Sequence, residues 1–263
     1  MKKIILISLL AFFGLSLNTT FAQNDSIYVM KNGSIIWKYK VAEIDSIVFY
    51  TPIIGDEEET SGVFVDPRDE TEYTWVKIGE QIWMAENLAY APPSGNYWAY
   101  ENEESNVATY GYLYNWHTAM NGATSSETNP SGVQGICPAG WHLPSDSEWM
   151  QLEMHLGMTQ EQANTLCMRG INNEGGKLKE AGTEHWNEPN EGATNETGFT
   201  ALPGGFCYGF HSDMGIYGYW WSSTEYTSDN LAWHRQLEKD YSGIYRNGYN
   251  KEMGISIRCV KDN

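Results

Sequence analysis

The sequence predicts an α+β chain, and three observations carry that expectation. Two helix starts with complete cap signals lie in the middle of the chain, at Ser145 and Thr159. Beyond Lys177 the helical periodicity fades, and short alternating runs separated by Gly and Asn take over, the pattern of antiparallel strands with one packed face. Eleven Trp and seventeen Tyr accompany 26 Gly, the composition of a loop-rich globular protein with a largely aromatic core rather than a disordered chain. Helices early and antiparallel strands late make an α+β layout.

Residues 1–22 read as a secretory signal peptide, with Lys2 and Lys3, an apolar run from Ile4 to Leu17, and Thr20-Phe21-Ala22 as the cleavage site. The run is short for a membrane span and no second one follows, so no stable span is expected after cleavage. The mature chain is expected to be secreted, periplasmic or cell-surface associated. No cysteine near the cleavage site offers the usual lipid attachment. Residues 23–50 form a small N-terminal β unit, in which Ser26–Met30 and Ser34–Lys40 pair across Asn32-Gly33 and Ser46–Tyr50 adds a strand. So short a unit is unstable alone and is expected to dock on its own downstream domain or on a neighbour's strand edge. Residues 51–62 are an acidic linker.

The main domain, 63–263, opens with Val63–Asp66 and paired strands Tyr73–Ile78 and Gln81–Met84 around Gly79-Glu80. About 200 residues can bury a substantial core as one domain. Residues 91–106 are polar, aromatic and turn-rich, a long surface loop, and a short helix is expected over Tyr112–Met120. Ser145 and Glu148 form a capping box, Trp149, Leu152 and Leu156 share one face, and Gly157 ends that helix. Thr159 and Gln162 repeat the cap, and Gly170 is expected to stop the second helix. Strands follow at 218–224, 231–238, 243–249 and 254–261. Leu231, Trp233 and Leu237 alternate with polar neighbours, as do Ile255, Ile257 and Cys259, so each strand is expected to have one wet face.

Cleaving the signal removes two lysines and takes the formal charge from −18 to −20. Such a chain repels nucleic acid. The acidity fits either cation binding or a solvated extracellular surface, and the absence of an acidic block longer than Glu57-Glu58-Glu59 favours the surface. No Ser-His-Asp motif, nucleophile elbow, phosphate-binding glycine loop or HExxH motif is present. Carboxylate pairs for glycoside hydrolysis meet in space rather than in sequence, so the acids name no pair.

The strings "VKIGEQIWMAENL", "YGYLYNWHTAM", "GICPAGWHLPSDSEW", "GGKLKEAGTEHWNEPNEGATNETGFTALPGG", "YGYWWSSTEY" and "GISIRCVKD" occur in that order over residues 63–262. Together they resemble the Fibrobacter succinogenes major paralogous domain, found in secreted proteins of Fibrobacter and Bacteroidota. "LPSDSEW", "YWWSS" and "ISIRCV" are more distantly similar to formylglycine-generating-enzyme-type domains. That resemblance implies a C-type lectin-like fold, with two helices, twisted antiparallel sheets and long irregular loops.

The catalytic cysteine pair of the generating enzymes has no counterpart here, because Cys137, Cys167, Cys207 and Cys259 are each isolated in sequence. The His-x3-His-x-Glu iron motif of related sulfoxide synthases is absent as well. A non-enzymatic chain is therefore expected. Cys137 and Cys259 both lie in family motifs and are expected to pair as a staple, in an export compartment that permits disulfides. Cys167 and Cys207 would then pair by elimination, although four cysteines allow about three connectivities. Trp141 and Trp149 are expected in the core, and His142, with no partner at metal spacing, is expected to be structural.

Two candidate sites remain. Residues 185–199 are dense in side-chain oxygens, and Asn187, Glu188, Asn190 and Asn195 suit calcium, which takes about six to eight hard ligands. Glu188-Pro189-Asn190 matches the calcium and sugar motif of mannose-type lectins, while the partner Trp-Asn-Asp motif is missing. The alternative is a loop held by its own side-chain-to-backbone hydrogen bonds. The second candidate is an aromatic face near turns, made of Tyr226, Asn230, Tyr241, Tyr245, Arg246, Asn247 and Tyr249. Flat rings bordered by amides suit saccharides, and the lectin-like resemblance makes this late segment ligand-facing. The expected function is recognition or adhesion through a polysaccharide or surface protein. A glycan-active enzyme and a structural subunit of a surface assembly are the alternatives.

Overall fold

The computed structural model describes residues 26–31, 33–43, 59–227 and 230–262. The expected signal peptide, the strand at Ser46–Tyr50 and most of the acidic linker lie outside the described residues. The chain divides into two compact units, Met1–Asp56 and Glu57–Asn263. In the first, β1 (Ser26–Lys31) and β2 (Ser34–Lys40) pair antiparallel from Ser26↔Lys40 to Lys31↔Ser34. No described helix is long and apolar enough to cross a membrane.

The second unit is mixed α+β, mostly sheet. Its first elements are β3 (Ser61–Val65), β4 (Glu72–Ile78), β5 (Gln81–Met84), β6 (Tyr97–Trp98), α1 (Val107–Tyr110), β7 (Leu113–Tyr114), α2 (Trp116–Met120) and β8 (Trp141–His142). Then come α3 (Asp146–Leu156), α4 (Gln160–Asn164) and β9 (Cys167–Arg169). The last third is β10 (Gly204–Cys207), β11 (His211–Met214), β12 (Tyr217–Glu225), β13 (Leu231–Glu238), β14 (Tyr241–Asn250) and β15 (Val260–Lys261). One antiparallel sheet runs β3-β4-β5-β15-β8 and another β12-β13-β14-β9.

Both capping boxes form: Ser145 accepts from the Glu148 N–H, Thr159 from the Gln162 N–H, and each partner reaches back. The second helix is shorter than expected. It ends before Thr165, not at Gly170, because Cys167–Arg169 leave to pair with Ile244–Arg246 on β14. Likewise the Tyr112–Met120 helix begins only at Trp116, capped by Asn115, while Leu113–Tyr114 pair with Tyr97–Trp98.

Neighbouring side chains on a strand point to opposite faces, and this splits the aromatic core in two. Met84 and Trp221 join a cluster with Tyr73, Tyr114, Trp141, Ile255 and Ile257. Trp83 and Trp220 join another with Trp149, Leu152, Trp186 and Phe199. Cys137 and Cys259 are bonded across 122 positions, a closure worth roughly 4–5 kcal/mol on the chain-entropy model. Cys167 and Cys207 do not pair. Cys167 is an exposed free thiol on an edge strand and Cys207 a buried one on a different hairpin.

The wet strand faces are the main correction. His234, on the expected wet face of β13, is buried, and so are Ser256 and Arg258 on either side of Ile257, while Arg235 is buried on the face of Leu231 and Leu237. Core lies on both sides of these strands, so their polar groups must find partners inside.

Candidate functional site

The partners of the buried polar groups form a charged network under one edge of the domain. Asp146, the first residue of α3, accepts from Arg235 Nη1 at 2.7 Å and from Arg246 Nε and Nη2 at 3.0 and 2.5 Å. About two turns of α3 later, Glu153 Oε1 accepts from Arg235 Nε and Arg169 Nη2, both at 2.5 Å. Burial alone would raise the Asp146 carboxyl, but the Arg235 and Arg246 guanidinia outweigh it and hold it down at about 2. Arg246 is therefore a buried structural cation bonded to α3, not the free surface donor expected from the sequence.

Above this network opens a cleft of about 480 Å³, lined among others by Glu127, Asp146, Glu225, Tyr226, Trp233 and Arg246. Trp233, expected as core, is half-buried and forms its wall. The Arg246 guanidinium lies 3.7 Å over its ring, and Tyr226 meets it edge-on at 4.5 Å. Gly248 makes this possible, since a Cβ there would come within 2.7 Å of the Tyr226 ring.

The rest of the expected aromatic face does not assemble as a platform. Tyr249 stacks on His234 at 4.5 Å and on Tyr219 at 5.7 Å, against the core. Tyr241 donates to the Gly170 carbonyl at 3.2 Å, and Tyr245 accepts from Asn247 Nδ2 at 3.0 Å. All three rings are half-buried, and Asn230 is exposed. The exposed aromatics of this unit are Tyr208 and Phe210 on the β10–β11 tip, at 48 % and 60 %.

Two more clefts lie beyond Tyr226. One of about 530 Å³ shares Ser125 with the Trp233 cleft and is lined by Thr124, Ser126, Ser131 and Gln134. The other, of about 610 Å³, shares Asn121, Gln134 and Gly135 with it and reaches Arg68, Tyr90, Asn96 and His117. No sequence motif marks these residues. The polar, turn-rich composition of 91–106, which supplies Asn96, is the signal that could have pointed there.

The oxygen-dense loop is organised by the chain's own cation. Lys179, fully buried, donates from Nζ to the carbonyls of Glu191, Glu238 and Tyr241 at 2.8, 2.9 and 3.1 Å. Burial pushes that ammonium down to about 8. Asn190 is buried and turns its Nδ2 to the Glu180 and Gly182 carbonyls at 2.9 and 2.6 Å. Asn195 is bonded in both directions to Thr200, at 3.0 and 2.8 Å. Asn187 and Glu188 are exposed. Of the four expected calcium ligands, Asn195 thus spends its side-chain oxygen inside the loop, whereas Asn190 uses only its Nδ2 and leaves its buried Oδ1 without a hydrogen bond. Among the described residues, the acidic and histidine side chains close enough to share an ion are instead Glu180, Glu184 and His185, where Glu180 already accepts from His185 Nδ1 at 2.8 Å.

His142 is structural and charged. It is buried and donates from Nε2 to Glu148 and from Nδ1 to Asp262, both at 2.7 Å. Burial works against the proton, but the two carboxylates outweigh it and raise the imidazole above its ordinary value. Glu148 Oε2 also accepts from the N–H groups of Ser145 and Ser131, so one carboxylate fixes a helix cap, a loop and the histidine.

No curated protein and no solved structure matches the chain. The family profile of the Fibrobacter succinogenes major domain does, over residues 76–261, and with most of its length matched the chain belongs to that family.

Proposed function

We propose that this is a secreted, non-enzymatic recognition protein of C-type lectin-like fold that binds polysaccharide at the Trp233 cleft. The observation that supports the reading is the half-buried Trp233 ring, fixed by Arg246 on its face and Tyr226 at its edge, at the wall of an open polar cleft. A ring held by neighbours loses little freedom when a sugar packs near it. The test is an array of plant and bacterial glycans probed with the full exported chain, with calcium and with a chelator. Hits are expected, they survive chelation, and Tyr226→Ala abolishes them. Hits lost on chelation would move the site to the 187–195 loop, and a blank array would remove the glycan reading. Release of reducing ends from a bound glycan would make the chain an enzyme instead.

A second reading, a surface-protein partner, is favoured by the exposed Tyr208 and Phe210 on one hairpin tip. A blank array together with partner capture lost on Phe210→Ser would support it.

A further inference from the structure

We infer that the three clefts form one binding track for an extended, uncharged oligosaccharide, with the Trp233 cleft as one subsite and the Arg68–Tyr90 cleft as another. The inference rests on the recognition reading above and adds to it the length and charge class of the ligand.

Continuity is the first argument. The Trp233 cleft and the middle cleft meet at Ser125, and the middle cleft and the Arg68 cleft meet at Asn121, Gln134 and Gly135. Each volume, about 480, 530 and 610 Å³, lies in the range of small-ligand sites. A run of joined clefts suits a polymer better than a compact ligand. The ridge between them is fixed. Gly135, at φ +56°, lies so close to α2 that a Cβ there would come within 2.4 Å of the Ala119 carbonyl oxygen, and the Ile136 N–H donates to that same oxygen at 2.9 Å.

Charge is the second argument. A sulfate, phosphate or uronate binds best to a cation without a carboxylate partner, and each arginine on the track already has one. Arg68 grips Asp66 from Nε and Nη2 at 2.9 to 3.1 Å and 2.6 Å, donates from Nη1 to the Ile136 carbonyl at 2.8 Å, and lies 3.7 Å over the Tyr90 ring. Arg246 is spent on Asp146 and on the Asn164 carbonyl. Each cation on the track is thus already paired with a carboxylate, Glu127, Glu225 and Glu252 line the same clefts, and the chain's net charge is −18, so an acidic polymer is disfavoured there relative to a neutral one. What the track offers is amides and hydroxyls. Asn96 is exposed with no side-chain hydrogen bond among the described residues, Gln134 spends only Nε2, on the Cys137 carbonyl, and Thr124 and Ser125 add hydroxyls. Such groups both give and accept hydrogen bonds, as sugar hydroxyls require.

The test is calorimetric titration of the full exported chain with disaccharides and hexasaccharides of glucose, mannose and xylose, and with an oligogalacturonate hexamer. For whichever neutral sugar binds, the hexamer should bind at least about tenfold tighter than the dimer, because linked subsites act together. The Asn96→Ala/Gln134→Ala double variant should bring the hexamer down to the affinity of the dimer. The oligogalacturonate should bind more weakly than the neutral hexamer. Equal affinity for dimer and hexamer, or a double variant that keeps the full hexamer advantage, overturns the track while leaving recognition at Trp233 intact. A tighter acidic hexamer overturns the charge class. No binding by any saccharide removes the recognition reading and the track with it.

Discussion

The main domain buries cations in two ways. Arg169, Arg235 and Arg246 share two carboxylates, Asp146 and Glu153, and tie α3 to the sheet β12-β13-β14-β9. Among the described residues, Lys179 and Arg258 meet no carboxylate within hydrogen-bonding distance. Lys179 uses three backbone carbonyls, and Arg258 uses those of Met84, Phe199 and Thr200 with the Asn87 side-chain oxygen. The proton affinities record the difference. Burial opposes the charge everywhere. The carboxylates more than compensate at Arg235, which is raised, but not at Arg169, which shares Glu153 with it and falls to about 10, while Arg258 falls to about 9 and Lys179 to about 8. A carboxylate network offsets most of its charge, two carboxylates against three guanidinia, and joins regular elements. A carbonyl cage leaves the charge standing and gathers loops, whose carbonyls have no ladder to satisfy them.

The comparison breaks or holds on measurable differences, the largest first. Asp146→Ala leaves Arg235 and Arg246 buried without that carboxylate, and equilibrium denaturation at pH 7 should show a loss of about 3–5 kcal/mol. A loss below that of the cage variant would refute the distinction. Lys179→Met removes the cage's charge and keeps its stem, so the cost is that of orphaned carbonyls, roughly 1–3 kcal/mol. Hydrogen exchange should accelerate in 187–197 and not in α3.

Acid should act on the network alone. Asp146 sits at about 2 when folded against 3.8 when unfolded. Its contribution is present above pH 4 and is lost as pH falls through 2, on the order of 2 kcal/mol. In Asp146→Asn that part of the acid slope should vanish. His142 has the opposite sign, because its folded affinity is raised. Its contribution is complete below about pH 6.5 and disappears as pH rises through the folded value. A His142→Gln variant should show a flatter stability profile above neutrality, the smallest effect of the four, read from melting temperature across pH.

Elements defined by local chemistry were legible. The hairpin Gln81–Met84 and the capping boxes at Ser145 and Thr159 follow from residues within a few positions of one another. Three of the four late runs were legible as strands for the same reason, while of 254–261 only Val260–Lys261 form one and the residues before it make isolated bridges. What failed was any inference that needed a distant partner. Arg258 read as solvent-facing and Arg235 had no expected place, because their acceptors, the Met84 carbonyl and Asp146, lie 174 and 89 positions away. The second helix ran too long on paper because its end is set by pairing with β14, a non-local choice. Of the expected ligand-facing residues, Tyr226 and Arg246 do line a cleft, but Arg246 as a buried ion. The Arg68 cleft was illegible because Arg68, Tyr90, His117 and Gln134 come from four separate segments.

The position of β15 bears on how the domain must be assembled. Val260 pairs with Trp83 on one side and His142 on the other, so one of the last residues of the domain fills the middle of the sheet that its first strands begin. The order of synthesis and the order of contact are therefore opposed. Until residues 255–261 are present, β5 and β8 have a gap between them, Cys137 has no partner and the Trp83 backbone has an open edge. Such long-range closure is slow. Closure of this sheet therefore waits for residues 255–261, however early β5 and β8 are made.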